Sequence, residues 1–296
     1  MKLRAFNLIE PVPELNEPHA FAVVRPWIDA GSGGSLTLSC LEDILGDTEL
    51  GRLRRPGNFF DLTRYRPTAR REEERVDIDI PNAVVCYGRQ AGGRDFLFLQ
   101  LPEPHMLAEI YVDSVVELLR VFSVKRYCLI GSMYDMVPHT RPLLVTGAAS
   151  NLALQNELDL ARVVSSNYQG PTTILHLLGQ KVLQLGMETL SLVVHIPNYL
   201  SLEEDYRGVA RLMEILHSLY GFTIPETDAN EAKEQEKQIN QLAEQIMQQE
   251  PRYRLALSQL ETNYDVRVGE QEEETRLSPE VERFLQELNN RFGQGQ

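Results

Sequence analysis

The sequence predicts an α/β fold in which a mainly parallel sheet is flanked by helices, followed by a helical C-terminal region. Three observations lead to this prediction. Short apolar runs of strand type alternate with amphipathic helical stretches over the first 224 residues. Strand, helix and strand patterns follow one another between residues 95 and 131, at the spacing of a βαβ unit with parallel pairing. Beyond residue 224 the strand-type runs stop, while helical periodicity continues.

The length of the chain allows one large domain and an appendage. Its 296 residues are 43% hydrophobic, which is enough for a substantial core. We predict an α/β domain over residues 1–224 and an acidic helical region over residues 225–296. The second region has twice as many acidic as basic residues, so it carries about half of the net charge of −14.

This charge argues against two classes of partner. An acidic chain with a pI near 5.0 repels phosphate backbones and anionic lipids, so we expect neither nucleic acid nor a membrane as a partner. The sequence shows no signal-peptide core and no run long enough to span a bilayer. Three cysteines, Cys40, Cys86 and Cys128, each lie in an apolar run, which favours buried reduced thiols. We therefore expect a cytoplasmic protein.

The first elements in the chain form a strand, a glycine-rich turn and a helix. Residues 1–20 are interpreted as an extended lead-in, residues 21–24 as a strand, and residues 35–45 as a helix. The turn between them contains Asp29, Ala30 and Gly31. Such a turn either directs backbone N–H groups at an anion or lets the helix pack closely on the sheet, and both interpretations stay open.

A basic cluster follows the first helix. It either binds an anionic partner or meets an acidic surface of its own chain or of a neighbouring subunit, and we favour the second interpretation. Its members are Arg52, Arg54, Arg55, Arg64, Arg66, Arg70, Arg71 and Arg75.

The remaining elements of the domain alternate between strand and helix patterns. The strands are expected at residues 83–88, 95–101, 126–131, 143–147 and 189–196, and the helices at 103–124, 174–185 and 206–220. The first two of these strands flank a glycine-containing turn and should form a hairpin. Gly186 and Gly221 are expected to end the last two helices.

Polar loops follow two of these strands, and together with the turn at residues 29–31 they provide the candidate functional residues. Ligands of open α/β sheets bind at the ends of the strands, so the residues expected to shape a pocket or an interface are Asp29, Ala30, Gly31, His139, Thr140, Arg141, Asn198 and Tyr199. A histidine and an arginine near a carboxylate can bind an anion and move a proton. Alternatively, Arg141 pairs with an acidic residue, His139 bonds a backbone carbonyl, and the prolines shape the loop. The second alternative is favoured because no nucleophile–base pair is visible.

No motif in the sequence identifies a metal, a cofactor or a catalytic residue. The six histidines are scattered, and no Cys-x-x-Cys pair is present. The nucleophile elbow Gly-x-Ser-x-Gly and the phosphate-binding loop GxxxxGK[ST] are both missing from the sequence. We therefore assign no catalytic residue, metal or cofactor, and a non-enzymatic role is favoured over an enzyme.

The C-terminal region is predicted to contain several helices. Apolar residues recur every seven positions at Ile239, Ile246, Tyr253 and Leu260, and Pro251 should divide this stretch into two helices. Residues 264–277 are acidic and expected to be mobile. A further amphipathic helix is predicted over residues 278–292.

These stretches, taken together, resemble the proteasome assembly chaperone 2 family in its long bacterial form, over roughly residues 20 to 268. The segments that carry the resemblance are Trp27-Ile28-Asp29-Ala30-Gly31, Phe59-Phe60-Asp61, Tyr65-Arg66-Pro67, Val137-Pro138-His139-Thr140-Arg141-Pro142, Tyr168-Gln169-Gly170-Pro171-Thr172, His195-Ile196-Pro197-Asn198-Tyr199-Leu200 and Leu260-Glu261 to Asp265.

The resemblance implies a fold similar to purine nucleoside phosphorylases, of the phosphorylase/hydrolase-like type, and homo-oligomers such as trimers. Relatives in eukaryotes and archaea are chaperones of proteasome assembly, whereas the long bacterial members have no firmly attached activity. Archaeal relatives engage the proteasome with a C-terminal hydrophobic-Tyr-any motif. This sequence ends in Arg291-Phe292-Gly293-Gln294-Gly295-Gln296, so docking by that route is not expected.

Two hypotheses about function follow from the residues and the resemblance. The first is a non-enzymatic, homo-oligomeric protein-interaction or assembly-chaperone-like factor whose partners are proteins, including itself. The alternative is a small-molecule binder or an enzyme of the nucleoside phosphorylase or hydrolase type, with its site at the strand ends.

Overall fold

The structure is a computed structural model that describes residues 1–72, 75–90, 92–166, 168–200, 202–222, 225–249 and 251–274. These residues contain twelve strands and seven helices. The strands are β1 (Lys2–Leu3), β2 (Phe6–Leu8), β3 (His19–Arg25), β4 (Thr48–Leu53), β5 (Thr68–Glu72), β6 (Arg75–Asp79), β7 (Val84–Arg89), β8 (Asp95–Pro102), β9 (Arg126–Asp135), β10 (Val145–Ala149), β11 (Val164–Ser165) and β12 (Glu188–Pro197). The helices are α1 (Gly33–Leu45), α2 (Ala108–Val121), α3 (Leu152–Leu160), α4 (Ile174–Gln184), α5 (Tyr206–Tyr220), α6 (Glu226–Gln249) and α7 (Pro251–Glu274).

Ten of these strands form one mixed sheet in the order β1-β2-β4-β7-β8-β3-β9-β12-β10-β11. The central strands β8, β3, β9 and β12 run parallel to one another, and the pairs on both sides of them are mostly antiparallel. The carboxyl ends of β3, β9 and β12 therefore lie at the same edge of the sheet. The predicted α/β class, with a helix-flanked sheet, is confirmed.

Helices cover both faces of the sheet because its central strands are apolar on both sides. Ala20, Ala22 and Val24 of β3 belong to a core that includes α2 and α4, whereas Phe21 and Val23 belong to a second core with α1 and α5. Successive side chains of a strand point to opposite faces, so an uninterrupted apolar run is what a strand buried on both sides requires.

The predicted strands and helices of the domain are present with small shifts, and the clearest shift concerns β9. The sequence predicts that this strand ends at Gly131, but the strand continues to Asp135. A Cβ atom at Gly131 would lie 2.9 Å from the carbonyl oxygen of Ile28, closer than real side chains approach. This glycine therefore permits a close approach of two backbones rather than ending the strand.

Several short strands are not predicted. Residues 1–20, interpreted as an extended lead-in, contain the edge strands β1 and β2, and the basic stretch after α1 contains β4. The hairpin β5–β6 forms a separate two-stranded sheet, hydrogen-bonded only within itself among the described strands. These strands are two to six residues long and most contain charged residues, so they carry too little of the apolar pattern on which strand prediction depends.

The C-terminal helices break where the sequence predicts, because α6 ends at Gln249 and α7 begins at Pro251. Residues up to Glu274, expected to be mobile, continue α7 as helix, and the helix predicted over residues 278–292 lies outside the described residues. The chain divides into two compact units, Met1–Glu244 and Gln245–Gln296. The predicted domain boundary at residue 224 stays a prediction.

The first turns of α6 belong to the first compact unit, where they bury apolar side chains. Ala232, Ile239 and Ala243 are each less than 10% exposed. The Sγ atom of Cys40 in α1 donates to Oδ2 of Asp228 at 2.9 Å, which fixes the start of α6 beside α1. None of the described helices has the length and apolar content that crossing a bilayer needs.

Candidate functional site

Three neighbouring strands are joined near their ends by a chain of two side-chain hydrogen bonds. The Nδ1 atom of His195 in β12 lies 2.7 Å from Oδ2 of Asp135, the last residue of β9. Its Nε2 atom lies 2.8 Å from Oγ1 of Thr146 in β10. Because β12 lies between β9 and β10 in the sheet, the imidazole of His195 links all three strands.

The order of these groups defines what they can do chemically. A neutral imidazole donates from one nitrogen and accepts at the other, so with a carboxylate at Nδ1 the Nε2 atom of His195 accepts from the Thr146 hydroxyl. Hydrolytic triads use the same order of hydroxyl, imidazole and carboxylate. A nucleophilic hydroxyl must reach its substrate, however, and Thr146 is only 8% exposed. In this conformation the three groups are better arranged to hold the strands than to attack a ligand.

The two predicted polar loops meet through His139 and Tyr199. The backbone N–H of His139 donates to the Tyr199 hydroxyl at 2.8 Å, and Nδ1 of the same histidine lies 2.9 Å from that hydroxyl. Their rings contact edge to face, with centroids 5.9 Å apart. His139 is 6% exposed, so a buried side chain of one loop is held by a tyrosine of the other.

The other predicted residues of these loops lie close by in the chain. Thr140 is exposed and Arg141 is half-buried in the loop that follows β9. The backbone N–H of Asn198 donates to the carbonyl of Asp135 at 3.0 Å, and its Nδ2 atom donates to Sδ of Met136 at 3.1 Å. Asn198 therefore ties the end of β12 to the end of β9.

The turn at Asp29 is held by hydrogen bonds of its own. The Oδ1 atom of Asp29 accepts from the backbone N–H of Ser35 at 2.9 Å, and Oδ2 accepts from the Ser35 hydroxyl at 2.5 Å. The Ser132 hydroxyl of β9 donates to the carbonyl of Ala30 at 2.7 Å. The first turn of α1 is thus bonded to a carboxylate of the chain itself, which favours the interpretation as a packed turn over an anion cradle.

Gly31 occupies a position that only glycine fits well. Its φ is +54°, and a Cβ atom there would lie 3.0 Å from Cβ of Asp205. Its carbonyl accepts from the backbone N–H of Asp205 at 2.8 Å. Asp205 is fully buried, and its Oδ1 atom accepts from the backbone N–H of Gly208 at 2.9 Å, which caps α5. The turn that follows β3 therefore packs against the start of α5.

Replacing Gly31 with alanine should destabilise the protein by about 2–3 kcal/mol, because the new Cβ adds a close contact to an unfavourable backbone conformation. Gly186 is the matched control, since its φ is +80° and no atom lies within 4 Å of an added Cβ. Gly186→Ala should cost only about 1 kcal/mol in urea unfolding. Equal costs at the two positions would contradict a role for the contact with Asp205.

Sequence reasoning missed the residues that the structure brings together most closely. Asp135, Thr146, His195 and Asp205 are absent from the predicted set, although two of them lie at the predicted strand ends. The sequence signal was limited to the predicted mainly parallel sheet, and the register comes from the structure, where Asp135 of β9 pairs with Pro197 of β12 and His195 lies two positions earlier. Residues two apart in a strand face the same side, so these side chains had to be neighbours.

The opposite edge of the sheet has a second polar cluster, around a cavity of about 570 Å³. Arg94, Arg126 and Tyr220 line it, and none of the predicted site residues does. His19 lies beside this cavity and is 3% exposed. Its imidazole accepts a hydrogen bond from the guanidinium of Arg94, and its Nδ1 atom lies 3.3 Å from the Tyr220 hydroxyl. Burial and the positive charges of Arg94 and Arg126 lower the pKa of His19 from 6.5 to about 3.

Stability should fall as the pH is lowered because of His19. The folded protein keeps this imidazole neutral, whereas the unfolded chain takes up a proton below about pH 6.5. The contribution of His19 to the free energy of unfolding is therefore complete above pH 6.5 and is lost as the pH falls toward 3. Urea unfolding of the wild type and His19→Gln between pH 7.5 and 4.5 measures this. The variant should be less stable at pH 7.5 but less dependent on pH, and parallel profiles would contradict the assignment.

No described group of three or more histidine, cysteine, aspartate or glutamate side chains could hold a metal ion. The cysteines Cys40, Cys86 and Cys128 are free and buried. Burial raises the pKa of Cys86 and of Cys128 to about 12, so both stay protonated thiols with little nucleophilic character.

Fold and site together define an α/β protein in which polar residues at the strand ends bond to one another, as His139 does to Tyr199 and His195 to Asp135 and Thr146. A profile described as the PAC2 family matches residues 23–243, which is about three quarters of the chain. The chain belongs to the PAC2 family, and the resemblance noted in the sequence is confirmed. No protein with a curated description matches the chain.

Solved structures similar to this one share its fold at low sequence identity. A protein of unknown function from Corynebacterium glutamicum is 22% identical, with a TM-score of 0.76 over 90% of this chain and 99% of that one. A second protein of unknown function, from Mycobacterium tuberculosis, is 22% identical, with a TM-score of 0.76 over 93% of each chain. A proteasome-assembly chaperone homologue from the same organism is 20% identical, with a TM-score of 0.68 over 75% of this chain and 94% of that one.

Proposed function

We propose that this protein is a homo-oligomeric protein-interaction factor of the assembly-chaperone type that works in the cytoplasm without catalysing a reaction. The observation that carries the proposal is its membership of the PAC2 family, together with its structural similarity to a proteasome-assembly chaperone homologue. Its partners are proteins, including further copies of itself, and neither nucleic acid nor lipid. Buried, protonated thiols support the cytoplasmic location.

The hydrogen bonds at the strand ends support a non-catalytic role. Asp29 bonds to Ser35, His139 to Tyr199, and His195 to Asp135 and Thr146. Groups that satisfy one another shape a rigid surface at low cost, because a buried polar group without a partner destabilises the fold. We propose that the Asp29-Ala30-Gly31 turn and the loops with His139-Thr140-Arg141 and Asn198-Tyr199 shape an interface or a pocket in this way. The division into residues 1–224 and 225–296 is part of the same proposal.

Sedimentation velocity and affinity purification of the full chain test the proposal. We expect a discrete homo-oligomer over about a hundredfold range of concentration, and a partner protein recovered in a fixed ratio to the chain. Purified partner should then bind the purified chain directly. A monomer that retains no protein partner would contradict the proposal.

A ligand-binding or enzymatic role is the second candidate. It is favoured by the hydroxyl–imidazole–carboxylate order of Thr146, His195 and Asp135. A thermal-shift screen with nucleosides, phosphate and carboxylates tests this role, because a ligand that binds only the folded state raises the unfolding temperature. A shift of several degrees that disappears in both Arg141→Ala and Thr146→Val would favour this candidate over the first.

A further inference from the structure

The amino-edge cavity, of about 570 Å³, lies where three parallel strands begin. The strands β3, β8 and β9 begin at His19, Asp95 and Arg126. His19 pairs with Phe96 of β8 on one side and with Arg126 of β9 on the other. Arg94 directly precedes β8, so the register of the sheet brings two arginines to the two sides of one buried histidine.

Hydrogen bonds hold one wall of the amino-edge cavity in place. The backbone N–H of Asn16 donates to Oδ2 of Asp95 at 2.7 Å, and the Nδ2 atom of Asn16 donates to the carbonyl of Gly93 at 3.1 Å. The backbone N–H of Gly93 donates to the carbonyl of Gln90 at 3.0 Å. Asn16, Gln90 and Gly93 all line the cavity, whose volume lies in the range of small-molecule sites. The wall is therefore formed before any ligand binds.

The hydrogen bonds of His19 determine which groups can donate to a ligand in this cavity. The imidazole is neutral, because burial and the two arginines lower its pKa to about 3. The Arg94 guanidinium donates to Nε2 of His19, so this nitrogen is the acceptor and Nδ1 carries the hydrogen. Nδ1 lies 3.3 Å from the Tyr220 hydroxyl, whose oxygen accepts from it and keeps its own hydrogen available. Arg94, Arg126 and Tyr220 line the cavity and therefore offer hydrogen-bond donors to a ligand.

Two carboxylates line the same cavity, so its charged side chains balance. Glu17 and Glu157 accompany Arg94 and Arg126, two residues of each sign. Oε2 of Glu157 lies 3.9 Å from Nη1 of Arg126, which is a long ion pair, and the Glu157 side chain is 46% exposed. Among the described residues, no carboxylate forms an ion pair with Arg94. A phosphate would add negative charge to a balanced site, whereas a ligand with one carboxylate and one ammonium group matches both kinds of side chain.

We propose that the amino-edge cavity binds a free α-amino acid. Arg94 and the Tyr220 hydroxyl donate to its carboxylate, and Glu157 accepts from its ammonium group. Both groups of an α-amino acid are attached to one carbon, so they suit a guanidinium and a carboxylate that lie close together, as those of Arg126 and Glu157 do. A peptide carries its terminal charges on different residues and loses this match. The inference concerns a small ligand and does not rest on the proposed function.

The bound amino acid should exchange rapidly with solvent. Gly92, Gly93 and Arg94 line the cavity and are exposed, so the cavity is open, and solvent-exposed ion pairs contribute little each. We expect a dissociation constant of about 0.1–1 mM. A ligand of this affinity is lost during purification, so the isolated chain should be empty until an amino acid is added.

A thermal-shift screen of the full chain with L-amino acids, each at about 10 mM, tests the proposal. We expect at least one of them to raise the unfolding temperature by a few degrees, and calorimetric titration then gives its dissociation constant. The amide of that amino acid lacks the carboxylate, and its N-acetyl derivative lacks the ammonium group. Both derivatives should bind at least about tenfold more weakly, because each leaves one charged group of the cavity without its partner. Inorganic phosphate should also bind more weakly than the amino acid.

Two variants assign the binding to this cavity. Arg94→Gln should weaken binding of the amino acid at least about tenfold, because a charged donor to the carboxylate is lost. Glu157→Gln should weaken the amino acid but leave binding of its N-acetyl derivative unchanged, since that derivative has no ammonium group. Arg54→Gln is the matched control, because Arg54 is an exposed arginine that does not line the cavity, and it should bind like the wild type. The unfolding temperatures without ligand confirm that each variant is folded.

Three results would overturn the proposal. The first is that no amino acid binds, as would happen if a carboxylate of the chain itself occupied the donors of the cavity. The second is that phosphate, the amide or the N-acetyl derivative binds as tightly as the amino acid. The third is unchanged binding of the amino acid in Arg94→Gln or in Glu157→Gln. None of these results would affect the proposed homo-oligomer, which sedimentation velocity tests separately.

Discussion

Replacing Asp205 with alanine should destabilise the protein by about 3–5 kcal/mol, because it breaks a buried ion pair and removes a helix cap. The carboxylate is fully buried, accepts from the backbone N–H of Gly208, and lies 3.7 Å from the guanidinium of Arg207. The Arg207 side chain is only 10% exposed, and its Nε and Nη2 atoms have no hydrogen-bond partner among the described residues. Without Asp205 this charge would be left buried and unpaired.

Asp205→Asn separates the two contributions. The amide oxygen of asparagine can still accept from Gly208 and cap α5, but it cannot neutralise Arg207. Urea unfolding should therefore place this variant between the wild type and Asp205→Ala. A cost of less than about 1 kcal/mol for the alanine variant would show that neither the cap nor the ion pair stabilises this end of the sheet.

Replacing His195 with alanine should cost about 2–4 kcal/mol, because it leaves a cavity and removes the partner of a buried hydroxyl. The imidazole is 4% exposed and links β9, β12 and β10 through Asp135 and Thr146. Loss of these bonds should also loosen the loops that follow β9 and β12. Urea unfolding measures the first effect, and hydrogen exchange of the loop amides measures the second.

Thr146 provides the matched controls for this variant. Thr146→Ser keeps a hydroxyl within reach of Nε2 of His195, whereas Thr146→Val keeps the shape but cannot donate. If the link is structural, the valine variant should lose about 1 kcal/mol of stability and the serine variant less than that. Full stability of His195→Ala, combined with loss of a ligand or an activity in Thr146→Val, would contradict the structural role.

The sequence predicts the centre of the sheet better than its edges. Strands such as β3 and β12 are buried on both faces, and their apolar runs follow directly from that burial. The strands β1, β2, β4, β5 and β6 depend instead on pairing with neighbours that are distant in the chain or on the partner strand of a hairpin. Most of them are short and carry charged residues, so the sequence predicts an extended lead-in over residues 1–20 and no strand in the basic stretch after α1.

The candidate site is predictable in part for a related reason. The sequence indicates that polar loops follow β9 and β12, and in the structure His139 and Tyr199 of these loops form a hydrogen bond. His195 was missed because it lies within the predicted strand, and only the register of three strands makes its contacts with Asp135 and Thr146 visible. Gly31 is in the predicted set as part of a turn, but its positive φ and its close packing on Asp205 become visible only in the structure.

Native mass spectrometry of the full chain, purified from the cells that produce it, tests the central claim most directly. The protein is proposed to act as a homo-oligomer with protein partners, so the spectrum should show multiples of 33.7 kDa and complexes with added protein mass. It should show no stoichiometric small molecule. A 33.7 kDa monomer that carries a tightly bound small molecule would contradict the account.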